Sequence, residues 1–225
     1  MCACLIVALA VMGCASGPAP AVAPRPSNPA ANPADTAASI DATRPLAPFA
    51  SRTLALVPVQ YLNPTDSLGF VRAAGDPAAW LARLDEEIEF ALASRKTGKP
   101  WQGARVLARR MKANGPYGVD VFDLSSAPLR DPRLNVQLPL PDPLATNLRS
   151  LVALGTDSRY VLIPYEVLFM GPKGAGRAVL KLALVDARGA SLVWLGAVVS
   201  DPAATFSPAL AASLAEHVAD LVAAP

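Results

Sequence analysis

Between Arg159 and Ser200, apolar residues alternate through three runs separated by two short connections, and this stretch leaves the chain the fewest ways to fold. Val161, Ile163, Tyr165, Val167 and Phe169 recur at every second position, which places them on one face of a strand from Arg159 to Met170. Gly171-Pro-Lys-Gly-Ala-Gly176 turns the chain into a second strand, Arg177 to Asp186, where Leu180, Leu182 and Leu184 alternate. Asp186-Ala-Arg-Gly189 turns it again into Ser191 to Ser200, which carries Trp194. Two connections this tight define an antiparallel meander of three strands.

The rest of the domain is read around that meander. Thr53-Leu-Ala-Leu-Val-Pro-Val-Gln60 is apolar on both faces, the pattern of a buried strand; Pro58 has no N–H to donate, so the strand either lies at an edge or breaks its pairing there. Asp76 as N-cap and Pro77 at the first helical position announce a helix. Its apolar stripe is Trp80, Leu81, Leu84, Ile88, Ala91 and Leu92, and Asp85, Glu86, Glu87 and Glu89 lie mostly off that stripe as a solvated face. A second helix is expected over Trp101 to Asn114, stopped by Asn114-Gly115-Pro116. Residues 115–141, broken by five prolines, read as an ordered loop with a short strand at Val119 to Leu124. Asp142-Pro143 repeats the Asp-Pro helix start, with Leu144, Leu148, Leu151, Val152 and Leu154 as its stripe, and a closing helix spans about Pro208 to Ala223. The expected fold class is a single α/β domain over residues 52–225: a mixed sheet, built from the N-terminal strand and the meander, covered by about four helices.

What precedes the domain is of another kind. Leu5 to Met12 is apolar but far short of the roughly 20 residues that span a bilayer, and Val11-Met12-Gly13-Cys14 places small residues and a cysteine directly after it. That is the arrangement of a lipoprotein signal: residues 1–13 removed, cleavage between Gly13 and Cys14, and Cys14 carrying the lipid. Only the terminal amine supplies positive charge ahead of the apolar run. From residue 14 to 51 the composition turns to Ala, Pro, Ser, Thr and Asn with prolines at 18, 20, 24, 26, 29, 33, 45 and 48, read as a disordered linker. At about 3.1 Å per residue such a linker reaches on the order of 100 Å when extended.

All three cysteines (Cys2, Cys4 and Cys14) lie in the signal or at its end, so the domain has no disulfide framework and no thiolate metal site. His217 is the only histidine, at the margin of a packed stripe, and is read as a partly buried structural residue; no metal site and no cofactor are expected. No Gly-x-Ser-x-Gly elbow surrounds any serine. The Gly171 to Gly176 run resembles a phosphate loop in composition, yet a strand follows it instead of a helix, so a hairpin turn is the reading. The net charge of +2, from 20 basic and 18 acidic residues, gives no field for a nucleic acid. One charge block stands out: Arg95, Lys96, Lys99, Arg105, Arg109, Arg110 and Lys112, with no acid between Glu89 and Asp120. Arg105, Arg109, Arg110 and Lys112 are the candidate partner-binding residues, suited to phosphate groups or an acidic protein surface. No catalytic residue is assigned.

Leu54-Ala-Leu-Val-Pro-Val59, Leu154-Gly-Thr-Asp-Ser-Arg-Tyr-Val-Leu-Ile163 and Leu182-Ala-Leu-Val-Asp-Ala-Arg-Gly-Ala-Ser-Leu-Val-Trp194 resemble the envelope-lipoprotein domains related to the TolB N-terminal domain, LpoB and CsgG. The likeness spans most of residues 53–222. It departs from CsgG, whose long membrane hairpins have no counterpart in the short turn at Gly171 to Gly176, and from TolB, whose propeller has none either. The LpoB-like plan of lipid, proline-rich linker and small domain remains. The resemblance implies a non-enzymatic, periplasm-facing protein held in the outer membrane by its lipid, since Ala15 and not aspartate follows Cys14. Its partner is then an envelope protein or a cell-wall component. The alternative is a periplasmic domain that binds or hydrolyses a small ligand with its 115–141 loop and nearby carboxylates, and a third reading is a structural part of a larger assembly.

Overall fold

The computed structural model describes residues 43–97 and 101–224. The expected signal, the expected Gly13-Cys14 cleavage point, most of the expected linker, and Lys99 lie outside the described residues.

The expected α/β fold is present. In chain order it has β1 (Leu54–Leu56), α1 (Phe70–Ala74), α2 (Pro77–Ser94), β2 (Trp101–Gln102), α3 (Ala104–Ala113), α4 (Leu144–Gly155), β3 (Tyr160–Met170), β4 (Arg177–Asp186), β5 (Ser191–Val199) and α5 (Ala209–Asp220). The strands form one mixed sheet in the order β2-β1-β3-β4-β5. β1 is parallel to both of its neighbours, and β3, β4 and β5 make the antiparallel meander. Pro58 does break the pairing and does not mark an edge: β1 ends at Leu56 between two partners, and the chain resumes contact when Gln60 N–H donates to the Pro164 carbonyl (2.9 Å).

Both faces of the sheet are covered. On one face Leu54, Leu56, Leu162, Leu180, Leu182 and Leu184 pack against α2 and α5. On the other, Ala55, Val57, Val161, Ile163, Ala183 and Val185 pack against α3, α4 and the 115–141 loop. That loop has no strand at Val119 to Leu124; Val121, Leu124, Leu129 and Leu140 are its buried apolar residues, and it makes short 3-10 turns at Gly115–Tyr117 and Ala127–Arg130. Gln60 pins it, accepting the Leu124 N–H (3.0 Å) and donating to the Val121 carbonyl (2.9 Å).

Several sequence expectations are corrected. The five residues Val161 to Phe169 do not share a face: a bulge between Pro164 and Glu166 shifts the register against β4, so Val167 and Phe169 join the α2–α5 side while Val161, Ile163 and Tyr165 stay on the other. Trp101 and Gln102 belong to an edge strand and α3 starts only at Ala104. Asp76 caps α2 through the Ala78 N–H (2.9 Å), but Asp142 caps no backbone group; its carboxylate accepts the Thr146 hydroxyl (2.8 Å). The linker boundary at residue 51 also moves. Leu46 is fully buried and Phe49 7% exposed, and the Leu46 N–H donates to the Leu221 carbonyl (3.0 Å), so residues 46–50 are part of the domain. Proline spacing alone could not separate a solvated proline-rich stretch from one whose two large apolar residues find the core.

The bulge also turns Glu166 inward. Its carboxylate, 5% exposed, is held by Lys181 Nζ (2.7 Å) and Asn63 Nδ2 (2.9 Å). A buried ion loses more from an absent partner than the intact pair contributes. Lys181→Met is therefore expected to lower unfolding free energy by about 2 kcal/mol, and Glu166→Gln/Lys181→Met to recover most of it, read by urea denaturation at neutral pH. Equal losses in the single and double variants would show that the pair is not what holds this end of the hairpin.

Candidate functional site

The sheet ends at β2, only two residues long, and there the two helical layers come together: α2 from one face meets the start of α3 from the other. A crevice runs along this edge, and carboxylates of α2 line it. Glu89 accepts the N–H of Ala104, the first residue of α3 (3.0 Å), at the positive end of that helix. Its head lies against Gly103, where a Cβ would stand 2.2 Å from Glu89 Oε1, so a side chain there would push the Glu89 carboxylate aside. One turn earlier, Asp85 accepts the Val59 N–H just past β1 (2.8 Å). Burial pushes the Asp85 carboxyl up to about 7; the Val59 hydrogen bond pulls it down, and the charges of Glu89 and Glu86 add to the rise. Glu86 is ion-paired with Arg105 across the mouth.

Toward the end of α2 the crevice widens into a cavity of about 370 Å³. Leu56, Leu92 and Trp101 give it apolar walls, with Glu89, Lys96 and Thr97 as its polar groups. The Trp101 indole N–H is already donated to the Phe49 carbonyl (2.9 Å), and the Thr97 hydroxyl to the Leu92 carbonyl (3.1 Å). The polar groups thus fix backbone segments or stand as isolated charges, an arrangement suited to binding. Among the described residues no group of three or more His, Cys, Asp or Glu side chains is placed to hold a metal ion.

The basic block does not act as one patch. Arg110 reaches Gln102 Oε1 and the Gly155 carbonyl at the end of α4 (both 2.9 Å), and Arg95 joins α2 to Glu216 and Asp220 of α5. Arg105, Arg109 and Lys112, at i, i+4 and i+7, share the exposed face of α3. Arg105 pairs with Glu86, whereas Arg109 and Lys112 have no ion pair among the described residues. Two shallow concavities flank this face, one between Arg105 and Phe122, the other between Lys112 and Phe122. His217 is half-buried, its Nδ1 2.6 Å from the Val199 carbonyl, joining α5 to the end of β5. Gly171 to Gly176 is the hairpin turn between β3 and β4.

Asp85, Glu89, Gly103 and Trp101 are not among the sequence's candidate site residues: the two carboxylates are read there as a solvated helix face and Trp101 as a helix start. A signal was present: Asp85 stands four residues after Leu81 and three before Ile88, inside the stripe's own spacing, and Glu89 follows four later. A carboxylate at stripe spacing is placed to meet something other than water. Gly103 and Trp101 gave no comparable sign, because their roles depend on α2 and β2 being side by side.

No protein-family model matches the chain, and no curated protein matches it. Among solved structures, PelC dodecamers from Paraburkholderia phytofirmans in two crystal forms align with it at 12% identity. The alignments cover 76% and 77% of this chain and 89% of each PelC chain, with TM-scores of 0.33 and 0.32. Likeness at that level carries no inference about this chain.

Proposed function

We propose that the chain is an envelope lipoprotein whose tethered domain binds another envelope component without catalysing a reaction. The observation that carries this reading is Val11-Met12-Gly13-Cys14 followed by a proline-rich stretch and then a compact α/β domain. Cys14 would carry the acyl chains, and more than one chain gives a durable hold on a bilayer. The absence of aspartate after Cys14 favours the outer membrane, with the domain facing the periplasm. No helix among the described residues is long and apolar enough to cross a membrane, so the acylated Cys14 is the attachment proposed here.

On the domain, the exposed face of α3 supports a partner surface. Arg109 and Lys112 present cations with no ion pair among the described residues, Phe122 (56% exposed) lines one concavity with Lys112, and Tyr117 (79% exposed) follows α3 in the chain. Cation and aromatic together are the usual material of a protein interface. Crosslinking in cells, comparing the native chain with Cys14→Ser, tests both halves. The expected result is acylation and a discrete crosslinked partner for the native chain, both lost in Cys14→Ser, with the partner alone weakened about tenfold by Arg109→Glu/Lys112→Glu. An unlipidated native chain, or a domain that captures no partner and hydrolyses an envelope polymer, overturns the proposal.

A further inference from the structure

We propose that the cavity beside β2 binds a small zwitterion: a molecule with an ammonium and an acid group on a short apolar body. Its volume of about 370 Å³ lies in the range of small-ligand sites, and its walls are mainly apolar. Leu56 and Leu92, each 5% exposed, form the floor, and Trp101 contributes its ring because its N–H is already donated to Phe49. Two oppositely charged residues line this one space, half-buried Glu89 and exposed Lys96, and no ion pair joins them. Glu89 uses Oε1 for the Ala104 N–H, and among the described residues Oε2 has no hydrogen bond; the Lys96 ammonium has neither a hydrogen-bond nor an ion-pair partner there. A site with one charge selects a counter-ion. A site with two separated opposite charges is matched by a dipolar ligand, and either ion alone leaves one group unpaired beside it.

The backbone at Lys96 gives the second observation. Lys96 closes α2 with φ 54°, its N–H bonded to the Ala93 carbonyl (3.0 Å) and the Thr97 N–H to the Leu92 carbonyl (3.1 Å). Glycine adopts this left-handed closing position without strain, and lysine does not. The helix closure therefore holds a left-handed lysine, and not the glycine that suits the position, at the rim of this cavity. The proposal concerns a small molecule and stands apart from the partner surface on α3.

An amino acid and an ethanolamine phosphate headgroup share this chemistry, so both serve as probes. The full-length ¹⁵N-labelled chain is titrated with leucine and with phosphoethanolamine, then with leucinamide, which lacks the carboxylate, and N-acetylleucine, which lacks the ammonium. Saturable shifts are expected at the Thr97 and Gly103 amides and the Trp101 indole N–H, with each half-ligand about tenfold or more weaker than leucine. The tighter of leucine and phosphoethanolamine identifies the source of the ligand. Lys96→Gly, which relieves the backbone strain and so keeps the fold, should abolish the preference for leucine over leucinamide. Glu89→Gln, which keeps an oxygen for the Ala104 N–H, should abolish the preference over N-acetylleucine. The inference is overturned if neither zwitterion gives saturable shifts up to millimolar concentration, if the half-ligands bind as tightly as leucine, or if both variants bind unchanged.

Discussion

Asp85→Asn should remove a fall in stability that the native domain shows between about pH 4 and pH 7. The folded carboxyl titrates near 7 because it is buried beside α3, with Glu89 and Glu86 adding repulsion, while in the unfolded chain it takes its ordinary value of 3.8. Between those values the folded state holds a proton that the unfolded state has lost, so unfolding releases it and stability falls as pH rises. The contribution is fully present below about pH 4 and gone above about pH 7, with a slope approaching about 1.4 kcal/mol per pH unit in between. Asparagine keeps an oxygen for the Val59 N–H and carries no charge, so its stability should be flat by comparison and higher than native at pH 8. Urea denaturation of both proteins from pH 4 to 8 reads the difference, in which other titrating groups cancel. Parallel curves would mean that water reaches the Asp85 carboxyl well enough to keep it ionised.

A second large effect is expected outside the regular elements. Leu46 precedes the first strand in a stretch whose prolines mark it as linker, yet its side chain is fully buried between the α2–α5 layer and the end of the chain. Truncating a buried leucine removes its transfer free energy and leaves a cavity, so Leu46→Ala should cost about 3 kcal/mol. A true linker residue would cost nothing measurable. A loss below about 0.5 kcal/mol would return the domain boundary to residue 51.

The parts of the fold that sequence pattern revealed share a local cause. The meander was legible because strand alternation and turn chemistry are properties of neighbouring residues, and α2 because Asp76 and Pro77 satisfy a helix N-terminus from within a few positions. The misreadings arose where a distant partner decides. The bulge at Pro164 to Glu166 reverses the faces of Val167 and Phe169 through pairing with β4, and Trp101 joins a strand because β1 lies beside it. Neither is visible in a window of adjacent residues.

The candidate site divides in the same way. The lipoprotein signal proposed at Cys14 rests on its preceding apolar run, a short-range pattern legible in the sequence alone, and the same holds for the cysteine-free composition of the domain. The crevice is a product of tertiary structure. Asp85 and Glu89 look like solvated helix carboxylates until β1 brings the Val59 N–H to one and α3 brings the Ala104 N–H to the other. Burial there, absent from any local pattern, raises the Asp85 carboxyl, and the meeting of α2 with β2 puts Glu89 and Lys96 on the lining of one cavity. By itself the sequence determined the class of fold, the meander and the expectation of a lipid-bearing Cys14. Only the tertiary structure decided which polar side chains leave water, because desolvation depends on what packs above a residue and not on what adjoins it in the chain.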